Sequence, residues 1–323
     1  MPENDNAAAS ETSLPSISAK RVAILMGTKD GAAYLEQQLK SIADQTHENW
    51  ILIVSDDGST DATKAIVERF AEAHPRRVTV LEGPRQGVCA NFLSLAIHPN
   101  IDADYFAFSD QDDVWYPDKL TRALQWLLTI QDDRPALYCA RTELMSADGQ
   151  CYGRSTLFAR PPAFQNALVQ SLGGGNTMVF NSATKALLER SADVEVPLHD
   201  WWLYQLVSGA GGSIFYDPSP VLKYRQHRHS LIGSNLGWRA RLIRLGMTLD
   251  GHFRDWNAMN IAALKSIPTD IITPENRAAL MLFAKATSAS LMKRLAYLRQ
   301  SGVYRQTLLG NIGLIAAAII KRI

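Results

Sequence analysis

Three aspartates in four positions, Asp110, Asp112 and Asp113, are the residues of this sequence with the clearest chemistry. They directly follow the apolar run Tyr105 to Ser109, which predicts a buried strand. Carboxylates at a strand end can converge on one hard cation, Mg²⁺ or Mn²⁺, and leave coordination positions for phosphate oxygens. Aspartate also favours turns and helix caps. The repulsion of three neighbouring carboxylates, which a cation relieves, favours a metal-diphosphate site over a plain turn.

A second acidic turn, Asp56-Asp57-Gly58-Ser59, follows the apolar run Trp50 to Ser55. At the carboxyl edge of a sheet, Asp56 can accept a hydrogen bond from the imide N–H of uracil or thymine, and Asp57 belongs to the same predicted nucleotide site. A capped turn with Gly58 at positive φ explains the same residues equally well. Both interpretations stay open at this point.

Two further clusters lie in the second half of the sequence. Asp200 stands before Trp201-Trp202 at the start of a predicted helix, where it is either an N-cap or, in a partly dry aromatic pocket, a general base. Arg225 and His227 follow a predicted strand and can donate hydrogen bonds to a leaving diphosphate. A solvated basic loop is the alternative for this pair.

The elements that must position these residues are parallel βα units, because short β-rich runs alternate with amphipathic helical stretches from Arg21 onward. The predicted strands of this part are Val22 to Met26, Trp50 to Ser55, Val78 to Leu81 and Tyr105 to Ser109. Open α/β sheets bind ligands at the carboxyl ends of their strands, where the acidic turns lie. Later strands are predicted at Leu137 to Ala140, Thr177 to Phe180, Ser213 to Tyr216 and Val221 to Arg225, and the pattern from Leu236 onward is helical.

Composition limits the classes of function. The 323 residues include 33 Lys and Arg against 32 Asp and Glu, and this near balance gives no support for non-specific nucleic-acid binding. Three widely spaced cysteines suggest neither a disulfide framework nor a zinc site, so a reducing, cytoplasmic setting is expected. No apolar run approaches the roughly 20 residues of a membrane span. Residues 1–20 are expected to form a disordered leader rather than a signal peptide.

Several motifs occur in a fixed order along the chain: Thr28, Tyr34-Leu35, Gln38-Leu39, Ser41-Ile42 and Gln45-Thr46, then Ser55 to Asp61, then Phe108 to Trp115 with Pro117 and Lys119-Leu120, then His199-Asp200 and Tyr224 to His227. Together they resemble the family-two inverting glycosyltransferases, and the later motifs resemble the rhamnosyltransferase-like bacterial branch. The resemblance covers roughly Arg21 to Ser234. Lys29-Asp30 departs from the Tyr-Asn that is usual after the first strand, which leaves the roles of these two residues open.

The resemblance implies a glycosyltransferase A-type fold, an α/β fold with a mostly parallel Rossmann-like sheet and flanking helices. Residues 21–115 would form the nucleotide-binding half and residues 116–234 the acceptor half, followed by a helical region, 235–323. By the same resemblance Thr28 lines the nucleotide pocket and Asp56 contacts the pyrimidine. Asp110 and Asp112 form the Asp-x-Asp element, with one carboxylate near the ribose and the other on the metal.

The resemblance further implies that Asp200 is the catalytic base and that His227 lies near the diphosphate or the metal. The expected activity is inverting transfer of a sugar, with rhamnose favoured, from a dTDP- or UDP-linked donor to a saccharide or lipid-linked acceptor in cell-surface polysaccharide or lipopolysaccharide synthesis, assisted by Mg²⁺ or Mn²⁺. Arginines 239, 241 and 244, and the apolar stretch Gly310 to Ile320 before Lys321-Arg322, suggest peripheral association with the inner face of the cytoplasmic membrane.

Two other classes of protein compete with this interpretation. Asp110-x-Asp112-x-Val114 after a strand also fits the nucleophile motif of haloacid-dehalogenase-type phosphatases, in which the carboxylate attacks phosphorus. That motif normally follows the first strand of its domain, whereas about three βα units precede it here. A non-catalytic sugar-nucleotide-binding protein of the same fold is the other alternative. A hydride-transfer enzyme is disfavoured because no G-x-G-x-x-G follows Val22 to Met26.

Overall fold

A computed structural model describes residues 17–226 and 251–323 of the chain. Within them, one nine-stranded sheet carries helices on both faces. The strands are β1 Val22–Thr28, β2 Trp50–Asp56, β3 Val78–Glu82, β4 Tyr105–Ser109, β5 Val114–Trp115, β6 Ala136–Ser146, β7 Cys151–Arg154, β8 Val179–Asn181 and β9 Ser213–Gln226. The helices are α1 Leu35–Ala43, α2 Thr63–Ala73, α3 Val88–Ala96, α4 Lys119–Leu127, α5 Phe164–Ala167, α6 Ser182–Glu189, α7 His199–Gly209, α8 His252–Ser266, α9 Pro274–Ser288, α10 Leu291–Ser301 and α11 Leu308–Ile319.

The order of the strands brings the acidic turns to one edge of the sheet. Neighbouring strands follow the order β3-β2-β1-β4-β8-β6-β9-β5, and β7 pairs with β6. The first four strands are parallel, and the β1–β2 register ends with Thr28 opposite Asp56. The turn after β2 and the loop after β4 therefore flank the end of β1. This arrangement confirms the predicted α/β fold with its ligand edge at the strand carboxyl ends.

Two hydrophobic cores cover the two faces of the sheet. Because successive side chains of a strand point to opposite faces, Ile24 and Leu25 of β1 belong to different cores. Ile24 shares its core with Leu39 of α1, and Leu25 shares the other with Phe92 of α3. Each of these strand residues is fully buried. The apolar runs that predicted buried strands thus serve both cores.

The second half of the sheet differs from the sequence prediction. The two strands predicted at Ser213 to Tyr216 and Val221 to Arg225 are one continuous strand, β9. Pro218 and Pro220 lie where the pairing with β6 shifts register, and such irregularities tolerate proline. The short strands β5 and β7 were not predicted, because two and four residues are too few to establish a period.

The described C-terminal residues are helical, as predicted, and share a core with α5. Leu264, Phe283 and Leu314 of α8, α9 and α11 belong to the same buried cluster as Phe164 of α5. The boundary at residue 235 stays a prediction. Among the helices of the described ranges, none has the length and apolarity that crossing a membrane requires.

The last residues of the leader expected from the sequence are part of the fold. Ile17–Ala19 form a 3-10 helix. Lys20 pairs with Asp104 at 3.2 Å. Residues 17–20 therefore belong to the fold, while residues 1–16 lie outside the described part of the chain.

Candidate active site

An open cavity of about 1280 Å³ lies at the carboxyl edge of β1, β2 and β4. Four residues singled out from the sequence line it: Thr28, Asp57, Asp110 and Asp112. Other elements also line the cavity, including α3 through Phe92 and the end of β9 through Tyr224 and Gln226. The cavity thus brings together the ends of several strands that are distant in sequence.

The acidic cluster lies on one wall of this cavity. Carboxylate oxygens of Asp110, Asp112 and Asp113 all lie within 4.8 Å of one another. Burial, together with the negative charges of Asp112 and Asp200, raises the pKa of Asp110 to about 7. Three carboxylates that repel one another in a buried setting match the donor set of a hard divalent cation, which would offset their charge.

Asp113 closes the cluster on its inner side. Its side chain is fully buried and accepts hydrogen bonds from Asn176 Nδ2 at 2.5 Å and from the backbone N–H of Arg225 at 3.2 Å. Burial and the charges of Asp110 and Asp112 raise the pKa of Asp113 well above its ordinary value. Asp113 therefore joins the acidic loop to the acceptor half of the sheet.

A buried lysine to which the sequence analysis assigned no role supports the same loop. Lys119, at the start of α4, is fully buried and donates from Nζ to the carbonyl oxygen of Asn176 at 2.6 Å. Its Nζ also lies 3.1 Å from the centre of the Trp115 ring. Burial lowers the pKa of Lys119 well below its ordinary value, against the opposing charges of Asp113 and Asp110. The sequence does not predict this burial, because a lysine in the first turn of an amphipathic helix is usually solvated.

Gln111 is another site residue to which the sequence analysis assigned no role. Its side-chain amide accepts from the backbone N–H of Lys29 at 2.9 Å and donates to the carbonyl oxygen of Lys29 at 2.9 Å. These two hydrogen bonds tie the loop after β4 to the loop after β1. The sequence did offer a signal for this role, since Gln111 stands between the carboxylates Asp110 and Asp112. An amide can both accept and donate a hydrogen bond without adding charge to the acidic loop.

The structure gives Arg225 a different place from the one predicted. Its side chain is 2% exposed and does not line the cavity, in contrast to its neighbours Tyr224 and Gln226. The guanidinium donates to the carbonyl oxygens of Asp112 at 2.9 Å and Ala147 at 3.1 Å. A further donor reaches Gln37 Oε1 at 2.5 Å. Arg225 therefore supports the acidic loop from behind, and its predicted contact with a diphosphate stays a prediction.

Replacing Arg225 with methionine is expected to lower the free energy of unfolding by about 3 kcal/mol, because the buried guanidinium and its three partly buried hydrogen bonds are lost. Denaturant unfolding with an unchanged m-value measures the loss. Arg154→Met, on an exposed arginine of β7, is the matched control and should change stability by less than about 0.5 kcal/mol. An equal unfolding midpoint for Arg225→Met and the wild type would contradict the supporting role.

Asp56 organises the turn that follows β2. Its Oδ1 accepts from the hydroxyls of Thr28 at 3.0 Å and Ser59 at 2.5 Å, and its Oδ2 accepts from the backbone N–H groups of Ser59 at 2.8 Å and Gly58 at 3.2 Å. Burial alone would raise the pKa of Asp56, but these hydrogen bonds and the charge of Lys64 hold it below its ordinary value. Gly58 has a φ of 88°, so the capped turn foreseen from the sequence is present.

Asp57 faces the cavity, and its neighbour Asp56 does not. Asp56 is only 2% exposed. The carboxylate of Asp57 accepts two backbone N–H groups, those of Arg85 at 2.6 Å and Gly87 at 3.0 Å. A carboxylate offers about four acceptor positions, so Asp57 keeps capacity that Asp56 has already used.

Asp200 is the second residue of α7, and the N-cap of this helix is Leu198, so the N-cap alternative for Asp200 is wrong. Its carboxylate accepts from the backbone N–H groups of Trp201 at 2.6 Å and Gly175 at 3.2 Å. Burial raises the pKa of Asp200 to about 6, although these two hydrogen bonds oppose the shift. Asp200 does not line the cavity itself, but its charge acts on Asp110.

Gly175 allows the close approach of two elements beside Asp200. A Cβ atom at this position would lie 2.5 Å from Nε2 of His199, which is closer than real Cβ atoms come to other atoms. The His199 ring stacks on Phe92, with centroids 4.2 Å apart. Burial lowers the pKa of His199 to about 3, so the imidazole is neutral. The last glycine of the run before β8, Gly175, is thus required by packing against the start of α7.

His227 lies outside the described residues, as do arginines 239, 241 and 244. The predicted contact of His227 with metal or diphosphate stays a prediction. Of the remaining sequence-predicted site residues, Thr28, Asp57, Asp110 and Asp112 share the cavity. Asp56, Asp200 and Arg225 lie behind or beside it.

Comparison with known proteins agrees with this geometry. The family described as Glycosyl transferase family 2 matches residues 23–196, more than half of the chain. The dTDP-rhamnosyl transferase RfbG of Shigella flexneri is 28% identical over 250 residues, which cover 71% of this chain and 81% of that protein. The putative teichuronic acid biosynthesis glycosyltransferase TuaG of Bacillus subtilis is 25% identical, covering 54% of this chain and 66% of its own length.

Solved structures share the fold. TarS residues 1–349 of S. aureus, in complex with UDP, superposes with a TM-score of 0.51 at 15% identity and covers 87% of this chain and 90% of its own. The mannosyltransferase PcManGT of Pyrobaculum calidifontis, in complex with GDP-Man and Mn²⁺, gives a TM-score of 0.50 at 20% identity, covering 94% of this chain and 86% of its own. The fold is therefore glycosyltransferase A-type, as predicted. The family match contradicts the phosphatase alternative. This chain belongs to glycosyl transferase family 2 and is a glycosyltransferase.

Proposed function

We propose that this glycosyltransferase transfers rhamnose, with inversion, from a dTDP- or UDP-linked donor to a saccharide or lipid-linked acceptor of a cell-surface polysaccharide. The observation that carries the proposal is the acidic cluster of Asp110, Asp112 and Asp113 on the wall of the cavity, with Asp200 on the acceptor side of it. The name of the RfbG relative supports rhamnose, and the name of TuaG supports polysaccharide synthesis.

Asp110 and Asp112 would hold the divalent cation, Mg²⁺ or Mn²⁺, since both line the cavity and lie within 4.8 Å of each other and of Asp113. Asp113 is engaged by Asn176 and the backbone of Arg225 on the inner side. When bound, the cation would offset the negative charge of the donor diphosphate and of the leaving nucleotide. The protein's own part is to fix the loop, which Gln111 and Arg225 do through Lys29 and the Asp112 carbonyl.

Asp200 serves as the general base in this proposal. It accepts the proton of an acceptor hydroxyl, and that oxygen forms a bond to the anomeric carbon as the bond from this carbon to the diphosphate oxygen breaks on the opposite side. The proton ends on Asp200, and the electron pair of the broken bond leaves with the nucleoside diphosphate. A pKa of about 6 suits a base that must be ionised near neutral pH yet accept a proton during the reaction.

The donor base is read, in this proposal, by Asp57 instead of the Asp56 that the sequence suggested. Asp57 lines the cavity and keeps free acceptor capacity, whereas the two oxygens of Asp56 already accept four hydrogen bonds from the Thr28 hydroxyl and the 58–59 turn. A carboxylate can accept from the imide N–H of a pyrimidine. Thr28 supports the site indirectly by holding Asp56.

A donor screen tests the function. With Mn²⁺ present, UDP and dTDP are expected to raise the melting temperature more than GDP, because a ligand bound only by the folded state stabilises it by mass action. Acceptor-dependent release of nucleoside diphosphate should follow with dTDP-rhamnose and be weak with GDP-mannose. Equal protection and turnover with the guanosine donor would contradict the pyrimidine assignment. Binding without any release would contradict the transfer reaction.

Two substitutions separate the roles of the paired aspartates. Asp57→Ala is expected to weaken binding of UDP and dTDP by about tenfold or more, the loss typical of a hydrogen bond to a charged group, while GDP binding changes little. Asp56→Ala should instead lower the melting temperature of the protein without nucleotide, since the turn loses its acceptor. The reverse pattern would return the base contact to Asp56. Calorimetric titration and thermal melts give the two readouts.

A further inference from the structure

The outward face of α11 is apolar along its whole length. We define this face by Leu308, Leu309, Ile312, Ile315 and Ile319, which are 49% to 78% exposed. The opposite side of the same helix carries Leu314, Ala317 and Ala318, which are buried in the protein core. A helix on the surface of a globular protein normally turns charged and polar residues outward. The α11 face therefore presents apolar surface where water-facing residues are expected.

The apolar surface continues onto the neighbouring helix. Arg294 of α10 donates from Nη1 to the carbonyl oxygen of Ala318 at 2.8 Å, so the first turn of α10 abuts the end of α11. In that same turn Leu291 and Met292 are 43% and 78% exposed. Exposed apolar side chains thus occur on two helices that contact each other, and not on α11 alone.

The charge of this part of the chain is strongly one-sided. Residues 276–323 contain eight cationic side chains and no aspartate or glutamate, although the whole chain is nearly balanced with 33 Lys and Arg against 32 Asp and Glu. The eight are Arg277, Lys285, Lys293, Arg294, Arg299, Arg305, Lys321 and Arg322. Cations next to an apolar helix face complement an anionic surface that has an apolar layer beneath its charges.

From these observations we infer that the α11 face docks into the headgroup region of a bilayer rich in anionic lipid. At 12 residues α11 is about 18 Å long, too short for a hydrocarbon core of about 30 Å, so it lies in the plane of the interface. A second copy of the chain is the less favourable occupant. A symmetric dimer across this face would bring two cationic segments together with no carboxylate of the same segment to offset them.

Vesicle flotation of the whole chain tests the inference. This assay measures lipid binding directly and does not depend on sugar transfer. The wild type is expected to float with mixed phosphatidylcholine and phosphatidylglycerol vesicles, and to float much less with phosphatidylcholine alone or at high salt. The double variant Leu309→Glu, Ile312→Glu should reduce binding to the anionic vesicles by about tenfold or more. Lys293→Glu and Lys321→Glu should each reduce it by about fivefold.

Matched controls use exposed residues far along the chain from these helices. Leu157→Glu introduces a charge at an apolar side chain that is 47% exposed, and Lys40→Glu reverses a charge on α1. Both should float like the wild type. The inference is overturned if the wild type does not bind anionic vesicles, or if the double variant binds them equally well. It is also overturned if sedimentation shows a dimer that the double variant dissociates while vesicle binding is absent.

Discussion

Asp200→Asn is expected to lower turnover by about 100-fold or more while leaving donor affinity nearly unchanged. Asparagine keeps the size of the side chain and one acceptor oxygen for the shorter hydrogen bond, from the backbone N–H of Trp201, but it loses the longer one from Gly175 and cannot take up a proton. The fold at the start of α7 should therefore persist. Steady-state kinetics with a saturating donor, together with direct titration of the donor, separate the two quantities.

The pH profile gives an independent readout of the same residue. Burial holds the pKa of Asp200 at about 6, so the fraction of enzyme with an ionised base falls as the pH decreases through this value. Wild-type turnover should fall with it, and the residual activity of Asp200→Asn should lose this dependence. Asp193→Asn, at an exposed position of the acceptor half, is the control and should behave like the wild type. Full turnover by Asp200→Asn would move the search to Glu143 and Asp148.

Removal of the divalent cation is the second large effect. Excess chelator should abolish transfer, and Asp112→Asn should weaken donor binding by about tenfold or more in Mn²⁺ but change it little without metal, because the substitution removes a charged ligand of the cation. Mn²⁺ or Mg²⁺ should restore activity to the chelated wild type. Ca²⁺ should restore less, since its larger and looser coordination shell holds the diphosphate less rigidly.

The control for this experiment is Asp118→Asn, an aspartate near the same loop whose side chain is 55% exposed. It should leave metal-dependent donor binding as in the wild type, which separates loss of a ligand from a general loss of negative charge. Transfer at the normal rate in excess chelator would remove the cation from the mechanism. Equal weakening by Asp112→Asn with and without metal would assign Asp112 to the nucleotide alone.

Local sequence patterns were sufficient to predict the parallel strands β1, β2 and β4. The runs that became β1, β2 and β4 are long and β-rich, and acidic turns end two of them, so both the parallel sheet and its ligand edge follow from local pattern. The same holds for the loop from Asp110 to Asp113, whose three carboxylates cluster in space because they are close in sequence. Local spacing suffices where a motif lies on one short segment.

Tertiary structure decided which of several neighbouring polar residues faces the cavity. Side chains alternate across a strand, so a difference of one residue reverses the direction, and only the pairing of β9 with β5 and β6 puts Tyr224 and Gln226 on the cavity and Arg225 behind the acidic loop. The burial of Lys119 likewise depends on Asn176, which is 57 residues away along the chain. Such partners come together only by long-range packing, so a local sequence pattern cannot predict them.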